Sequence, residues 1–194
     1  KLVVLHRETH SLVPFKFNPV QRRLGRILGE QYKEGRRIRA IILKARREGV
    51  STAVQGLGYK WVRTRKNTHA LVMAHELTSA NAIFDITRTF HERLAGKSKD
   101  DRYNQKELKF GAPLRSWFKV NTAGSKNFGS GVQLHFGHLS ELSKWKPSVV
   151  GPLLMSIENA IADANDTAEI IESTAFGSAG PFYDRWKAAE DAKA

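Results

Sequence analysis

The sequence contains no cysteine. Disulfides and thiolate metal centres are therefore excluded, and a reducing compartment fits without being required. No apolar run approaches the roughly 20 residues that a membrane helix needs, and no signal peptide is visible, so no membrane partner is expected. Acidic residues are scarce in one region only. Residues 1–66 hold 4 of the 19 Asp and Glu but 17 of the 32 Lys and Arg, whereas the remainder holds 15 of each sign. The whole net charge of +13 thus lies in the first third of the chain. Polyanions are the natural partners of such a segment. A solvated basic surface explains any single cluster, such as Arg36-Arg37-Ile38-Arg39, but it explains the asymmetry less well.

What is present describes an ordinary globular domain, with 41% hydrophobic and 9% aromatic residues. Short apolar runs at Ala40–Leu43, Ala70–Ala74, Trp117–Val120, Val132–Phe136 and Ala168–Ile171 read as buried strands. Helical spacing lies between them: Val50, Val54, Leu57 and Trp61 on one face, a longer helix over 76–95, a third through Val150, Leu154, Ile157 and Ile161, and a last one started by Gly180-Pro181. Residues 96–106 and 122–131 read as loops. Alternating strands and helices predict an α/β protein with a mostly parallel sheet.

Open sheets of that kind bind ligands at the carboxyl ends of their strands, and three segments fall there. The first is Lys44-Ala45-Arg46-Arg47-Glu48-Gly49-Val50-Ser51-Thr52. A strand, a Gly-containing turn and a helix start make a phosphate cradle of backbone N–H groups. The spelling departs from G-x-x-x-x-G-K-S/T, with Lys44 at the first glycine and Val50 at the lysine. Lys44, Arg46 and Arg47 are each candidates for the displaced cation, and Ser51 for a Mg²⁺ ligand. On this segment alone, a nucleotide site and a plain strand–turn–helix are evenly matched.

The second segment carries Ser140-Glu141, where an NTPase commonly has Asp-Glu. Glu141 is a candidate general base for water, or else a surface carboxylate capping the turn before Lys144. Ser140 would reach Mg²⁺ weakly or through water. His135 and His138 form an H-x-x-H pair with no evident third ligand, so core or hydrogen-bonding roles are expected. The third segment, Ser173-Thr174-Ala175, suits sensing of a γ-phosphate and equally suits a strand-to-loop exit. Upstream, Gln21 could pair with an adenine edge and Phe17 stack on it, or both could simply begin a helix after Pro19.

In order and spacing, Phe17-Asn-Pro-Val-Gln21, the 44–52 loop, Leu139-Ser-Glu-Leu-Ser-Lys-Trp145 and Glu172-Ser-Thr-Ala-Phe-Gly177 resemble one family. It is the ATPase domain of the large terminase subunit of tailed bacteriophages, the motor that packages viral DNA. Gly180-Pro-Phe-Tyr-Asp-Arg-Trp186 continues the likeness, which spans residues 17 to 186. The resemblance implies a P-loop NTPase of the additional-strand, RecA-like type that uses ATP and Mg²⁺. It makes Gln21 the adenine-reading glutamine, and Lys44 and Arg46 the variant Walker A cations. Gly49, Ser51 and Thr52 take the phosphate and Mg²⁺ positions, with Ser140 and Glu141 at the Walker B end. Glu141 becomes the catalytic carboxylate, and Ser173-Thr174-Ala175 the coupling motif.

Implied partners are double-stranded DNA, the portal protein, the small terminase subunit and further copies in a ring, in the host cytoplasm. The expected organisation is one ATPase domain, with an adenine-side segment to residue 37, a P-loop core over 38–178 and a C-terminal helix over 179–194. A nuclease domain is expected only in a full-length protein. The departures are Val50 for lysine, Ser140 for aspartate and Phe176 for asparagine. Two alternatives remain: another DNA-translocating or helicase-like P-loop ATPase, and a hydrolysis-defective DNA-binding domain of the same fold.

Overall fold

A computed structural model describes residues 2–6, 8–94, 96, 98–124 and 131–192. An antiparallel hairpin, β1 (Val3–Leu5) with β2 (Leu12–Pro14), precedes α1 (Pro19–Lys33). The chain then runs β3 (Ile38–Leu43), α2 (Val50–Thr64), β4 (His69–Ala74) and α3 (Leu77–Arg93). An edge meander follows, β5 (Arg102–Tyr103), β6 (Glu107–Lys109) and β7 (Trp117–Thr122). The last elements are β8 (Phe136–Ser140), α4 (Pro147–Ala160), β9 (Ala168–Ser173) and α5 (Pro181–Asp191).

The main sheet has the order β3-β9-β8-β4-β7-β6-β5. The first five strands are parallel, and β6 and β5 add antiparallel pairs at the far edge. Strand β9, last in sequence, is inserted between β3 and β8. That insertion is the additional strand, and the architecture is a RecA-like P-loop fold.

Alternation along the strands sorts the core into two layers. Ala70, Val72, Phe136, Ala168 and Ile170 join Val54, Tyr59, Val62 and Phe84 beneath α2 and α3. Leu71, Met73, Leu139 and Ile171 join Leu154, Ile157 and Phe182 beneath α4 and α5. Each large apolar side chain so buried contributes about 1.5–3 kcal/mol. At Gly58 of α2 an added Cβ would lie 2.7 Å from Phe136 Cε1, so glycine lets the helix close onto β8. That approach brings the first turn of α2 to the strand ends.

Two sequence expectations are corrected. The strand expected over Val132–Phe136 instead begins at Phe136 and ends at Ser140. Val132 is exposed, and Leu134 makes only an isolated bridge to Ile161. The apolar run precedes the strand, which itself holds the polar His138 and Ser140. Part of the loop expected over 96–106 is strand β5, whose exposed polar residues hide the pairing with β6. Of the loop expected over 122–131, residues 125–130 lie outside the described residues, as do residues 193 and 194. Among the described residues no helix is long and apolar enough to cross a membrane.

Candidate nucleotide site

The carboxyl ends of β3, β9 and β8 meet the first turn of α2. The connecting loop contains two left-handed residues, Arg47 (φ 71°) and Gly49 (φ 72°). Gly49 is the N-cap of α2 and offers no side-chain cap. The first N–H groups of that helix, at Val50, Ser51 and Thr52, have no intrahelical acceptors. Helix-start N–H groups of this kind can hold an anion. A Cβ at Gly49 would stand 2.5 Å from Gln21 Nε2, so a side chain there would strain the backbone and push the Gln21 amide off the Gly49 carbonyl.

Gln21 is buried and tied at both ends of its amide. Its Oε1 accepts from Asn18 N–H at 2.9 Å, completing a capping box at the start of α1. Its Nε2 donates to the Gly49 carbonyl at 2.7 Å. Asn18 Nδ2 donates to the Glu48 carbonyl at 3.0 Å. The segment around Asn18 and Gln21 thus clasps the loop. Phe17 is exposed, packs edge-on against Phe15, and lines with Gln21, Leu24 and Leu57 a largely apolar groove of about 820 Å³ between α1 and α2.

Lys44 is the loop cation that turns inward. Its Nζ lies 3.0 Å from Glu172 Oε2, 3.2 Å from Glu141 Oε1 and 3.1 Å from Ser51 Oγ. Arg46 and Arg47 are exposed, as is Ala45. Glu48 and Thr52 are half-buried, and Val50 is buried.

Glu141 follows β8 in a left-handed conformation (φ 55°) and opens a short 3₁₀ turn. Its Oε2 accepts from Thr174 Oγ1 at 2.8 Å and pairs with Lys144 Nζ at 2.9 Å. Burial pushes its carboxyl up, but the hydrogen bonds from Lys144 and Thr174 and the charges of Lys44 and Lys144 outweigh this and hold it below the ordinary range. Ser143 shares a hydrogen bond with Ser173 and donates to the Thr174 carbonyl at 3.0 Å, so the turn after β8 is laced to the end of β9. Ala175 is exposed beyond that lacing.

Sequence reasoning missed Glu172. Its side chain is fully buried, on the same face of β9 as Ala168 and Ile170. Oε1 accepts from Ser51 Oγ at 2.7 Å, from Ser140 Oγ at 3.1 Å, and lies 3.1 Å from His138 Nε2. Oε2 has no hydrogen bond; its 3.0 Å contact with Lys44 Nζ is an ion pair off the hydrogen-bond direction. Burial raises the carboxyl, but His138 (by hydrogen bond and, when protonated, by charge), Lys44 and Ser51 pull it down to about 2. Behind it a buried chain continues, with Gln55 Nε2 2.6 Å from His138 Nδ1 and Thr87 Oγ1 donating to Gln55 Oε1 at 3.0 Å. His138 therefore has the expected hydrogen-bonding role. His135 sits at the opposite end of the sheet beside His69.

Part of the basic surplus is structural. Arg37 and Arg39 pair with the buried Glu169, Arg36 with Glu34, and Arg65 stacks over Trp61 at 3.8 Å. Arg23, Arg26, Arg46 and Arg47 are exposed.

No family model and no curated protein matches the chain. Solved structures do. The bacteriophage HK97 large terminase superposes with a TM-score of 0.76 at 18% identity, over 93% of this chain and 38% of that one. The fold is that of a large terminase ATPase domain. The ATPase domain of the Thermus phage P74-26 large terminase matches at a TM-score of 0.57 and 19% identity, over 88% of this chain and 74% of that one. The large terminase of a thermophilic bacteriophage matches at 0.68 and 12% identity, covering 92% and 44%. The chain thus spans about two fifths of the full-length large terminases it matches.

Proposed function

We propose that this chain is the ATPase domain of a bacteriophage large terminase, hydrolysing ATP to drive double-stranded DNA into a procapsid. The observation that carries the reading is the convergence on Lys44 Nζ of Ser51, Glu141 and Glu172, from three separate segments. On a fold shared with large terminases, that convergence ties the phosphate loop to both strand ends that hydrolysis requires.

The uncapped first turn of α2 and the left-handed Gly49 fit the phosphates of ATP. Lys44, one side chain's length away, is the cation that neutralises them, and Arg46 is available from the loop surface. Ser51 would hold Mg²⁺, with Ser140 and Glu141 behind it; the ion supplies charge neutralisation on the phosphate oxygens. Glu141 is ionised at neutral pH and held by Lys144 and Thr174. A carboxylate with a lowered pKa is a weak base but a good hydrogen-bond acceptor, so it orients the attacking water. Thr174 bonds the same carboxylate, so a change at the γ-phosphate passes to Ser173-Thr174-Ala175 and the segment beyond. Gln21 contacts the loop from the adenine side, with Phe17 at its edge. The exposed arginines of the first third serve DNA and nucleotide.

Portal, small terminase subunit and a ring of further copies are the partners this reading calls for, in the host cytoplasm. A hydrolysis-defective relative is disfavoured because a carboxylate, Glu172, does reach Ser51 despite Ser140. The test is steady-state turnover with Mg²⁺ and DNA. Glu141→Gln should lower it about 10²-fold or more while ATP still binds. Unchanged turnover removes Glu141 from the mechanism.

A further inference from the structure

Glu172 takes no part in orienting water or in the Thr174 contact, although it reaches both Ser51 and Lys44. A carboxylate with no exposed surface, at the middle of a phosphate-loop site, is costly to bury unless its charge is used. Its placement is set by topology. Strand β9 lies between the loop strand β3 and the strand β8, in register with Ile42 on one side and Ser140 on the other. Alternation turns Glu172 to the α2 face, where the hydroxyls of Ser51 and Ser140 both donate to its Oε1. The loop hydroxyl is thus already aligned by this carboxylate, and Ser140 serves it rather than Ser51.

The other oxygen is the informative one. Oε2 is buried without a hydrogen bond and, among the described residues, faces one cation, Lys44 Nζ. That ammonium is surrounded by Oε2, Glu141 Oε1 and Ser51 Oγ at 3.0, 3.2 and 3.1 Å. Two carboxylates and a hydroxyl converging on one positive charge match the oxygen set that binds Mg²⁺ together with nucleotide phosphates. Among the described residues, no group of three or more His, Asp or Glu could hold a metal unaided. That composition suits an ion arriving with its phosphates. The chain Thr87–Gln55–His138 fixes the carboxylate from behind, as partners of metal-facing groups do.

We propose that Glu172 supplies the metal-facing carboxylate that the Ser140 position lacks, holding nucleotide-bound Mg²⁺ with Ser51, directly or through one water. Lys44 Nζ marks the cation position and moves to the phosphates when nucleotide binds. The inference rests on the nucleotide site proposed above.

The test measures the affinity of a fluorescent ATP analogue with Mg²⁺ and with EDTA, for the unmodified chain, Glu172→Gln and the double variant Ser140→Asp/Glu172→Gln, with circular dichroism reporting folding. The unmodified chain should bind at least about tenfold tighter with Mg²⁺. In Glu172→Gln that enhancement should fall below about twofold, with affinity in EDTA kept or raised, because a negative charge near the phosphates is gone. The double variant should recover it. A folded Glu172→Gln chain with full enhancement overturns the proposal and leaves the nucleotide site standing. If Glu172→Gln does not fold, the double variant decides: folding restored together with Mg²⁺ enhancement supports the proposal, and folding restored without it overturns it. An unmodified chain that binds no analogue overturns the nucleotide site itself.

Discussion

Ser51 Oγ donates to Glu172 Oε1 at 2.7 Å, joining residues 121 positions apart and locking the first turn of α2 to the end of β9. Around this bond the 44–52 loop and the ends of β8 and β9 form one charged network, in which Lys44 is the only ammonium among the described residues in contact with Glu172.

Lys44→Ala therefore does more than weaken phosphate binding. It removes the ammonium paired with the buried Glu172, whose Oε1 keeps Ser51, Ser140 and His138 as partners, so a loss of about 1–3 kcal/mol in stability is expected. Arg46→Ala and Arg47→Ala, at exposed positions, should stay within about 0.5 kcal/mol of the parent. Urea unfolding of the three variants checks this. Equal stability for all three would mean that Lys44 does not carry the network.

Acid should dissolve the same network. Folding holds the Glu172 carboxyl at about 2 against an ordinary 4.5, so the ionised form is the one folding favours. Its contribution is complete above about pH 4.5 and is lost as pH falls toward 2. Glu141, also lowered, adds in the same direction. Unfolding free energy followed across that window should drop, and Glu172→Gln should flatten the slope. A parallel slope in the variant would assign the acid sensitivity elsewhere.

Gln21 is doubly tied, to Asn18 and to Gly49. Gln21→Ala should cost about 1–2 kcal/mol through the lost cap and loop bond, and should reduce preference for ATP over GTP. Gly49→Ala meets both a positive φ and the 2.5 Å approach to Gln21, so it should destabilise by at least about 1 kcal/mol and depress nucleotide binding. Thermal melts and competition binding read both effects. Unaltered nucleotide preference in Gln21→Ala would confine that residue to a structural role.

Thr174→Val removes the 2.8 Å bond to Glu141 and keeps the shape of the side chain. Turnover should fall by about tenfold or more with ATP affinity nearly unchanged, because the lost contact orients the carboxylate proposed to position water. A matching fall in affinity would place Thr174 on ground-state binding instead.

Much of this was legible in the sequence wherever burial and polarity agree. Strands β3, β4 and β9 and helices α2 and α3 announce themselves because Ile41, Val72, Ile170, Val54 and Phe84 recur at the period their element requires. Strand β8 was displaced because its buried positions 138 and 140 carry His and Ser, which belong to the site. Glu172 escaped for the same reason. In sequence it ends an apolar run, and nothing local reveals that Ser51, Ser140 and His138 surround it. A trace existed in Glu169 and Glu172 themselves, two carboxylates in a strand whose isoleucines demand burial. Such contradictions between residue and environment cluster at functional sites.

Crystallising the chain with a non-hydrolysable ATP analogue and Mg²⁺ tests the nucleotide site most directly. Phosphates are expected on the N–H groups of Gly49 to Thr52, with Lys44 in contact with them and the metal beside Ser51. Nucleotide bound away from the 44–52 loop would contradict that placement.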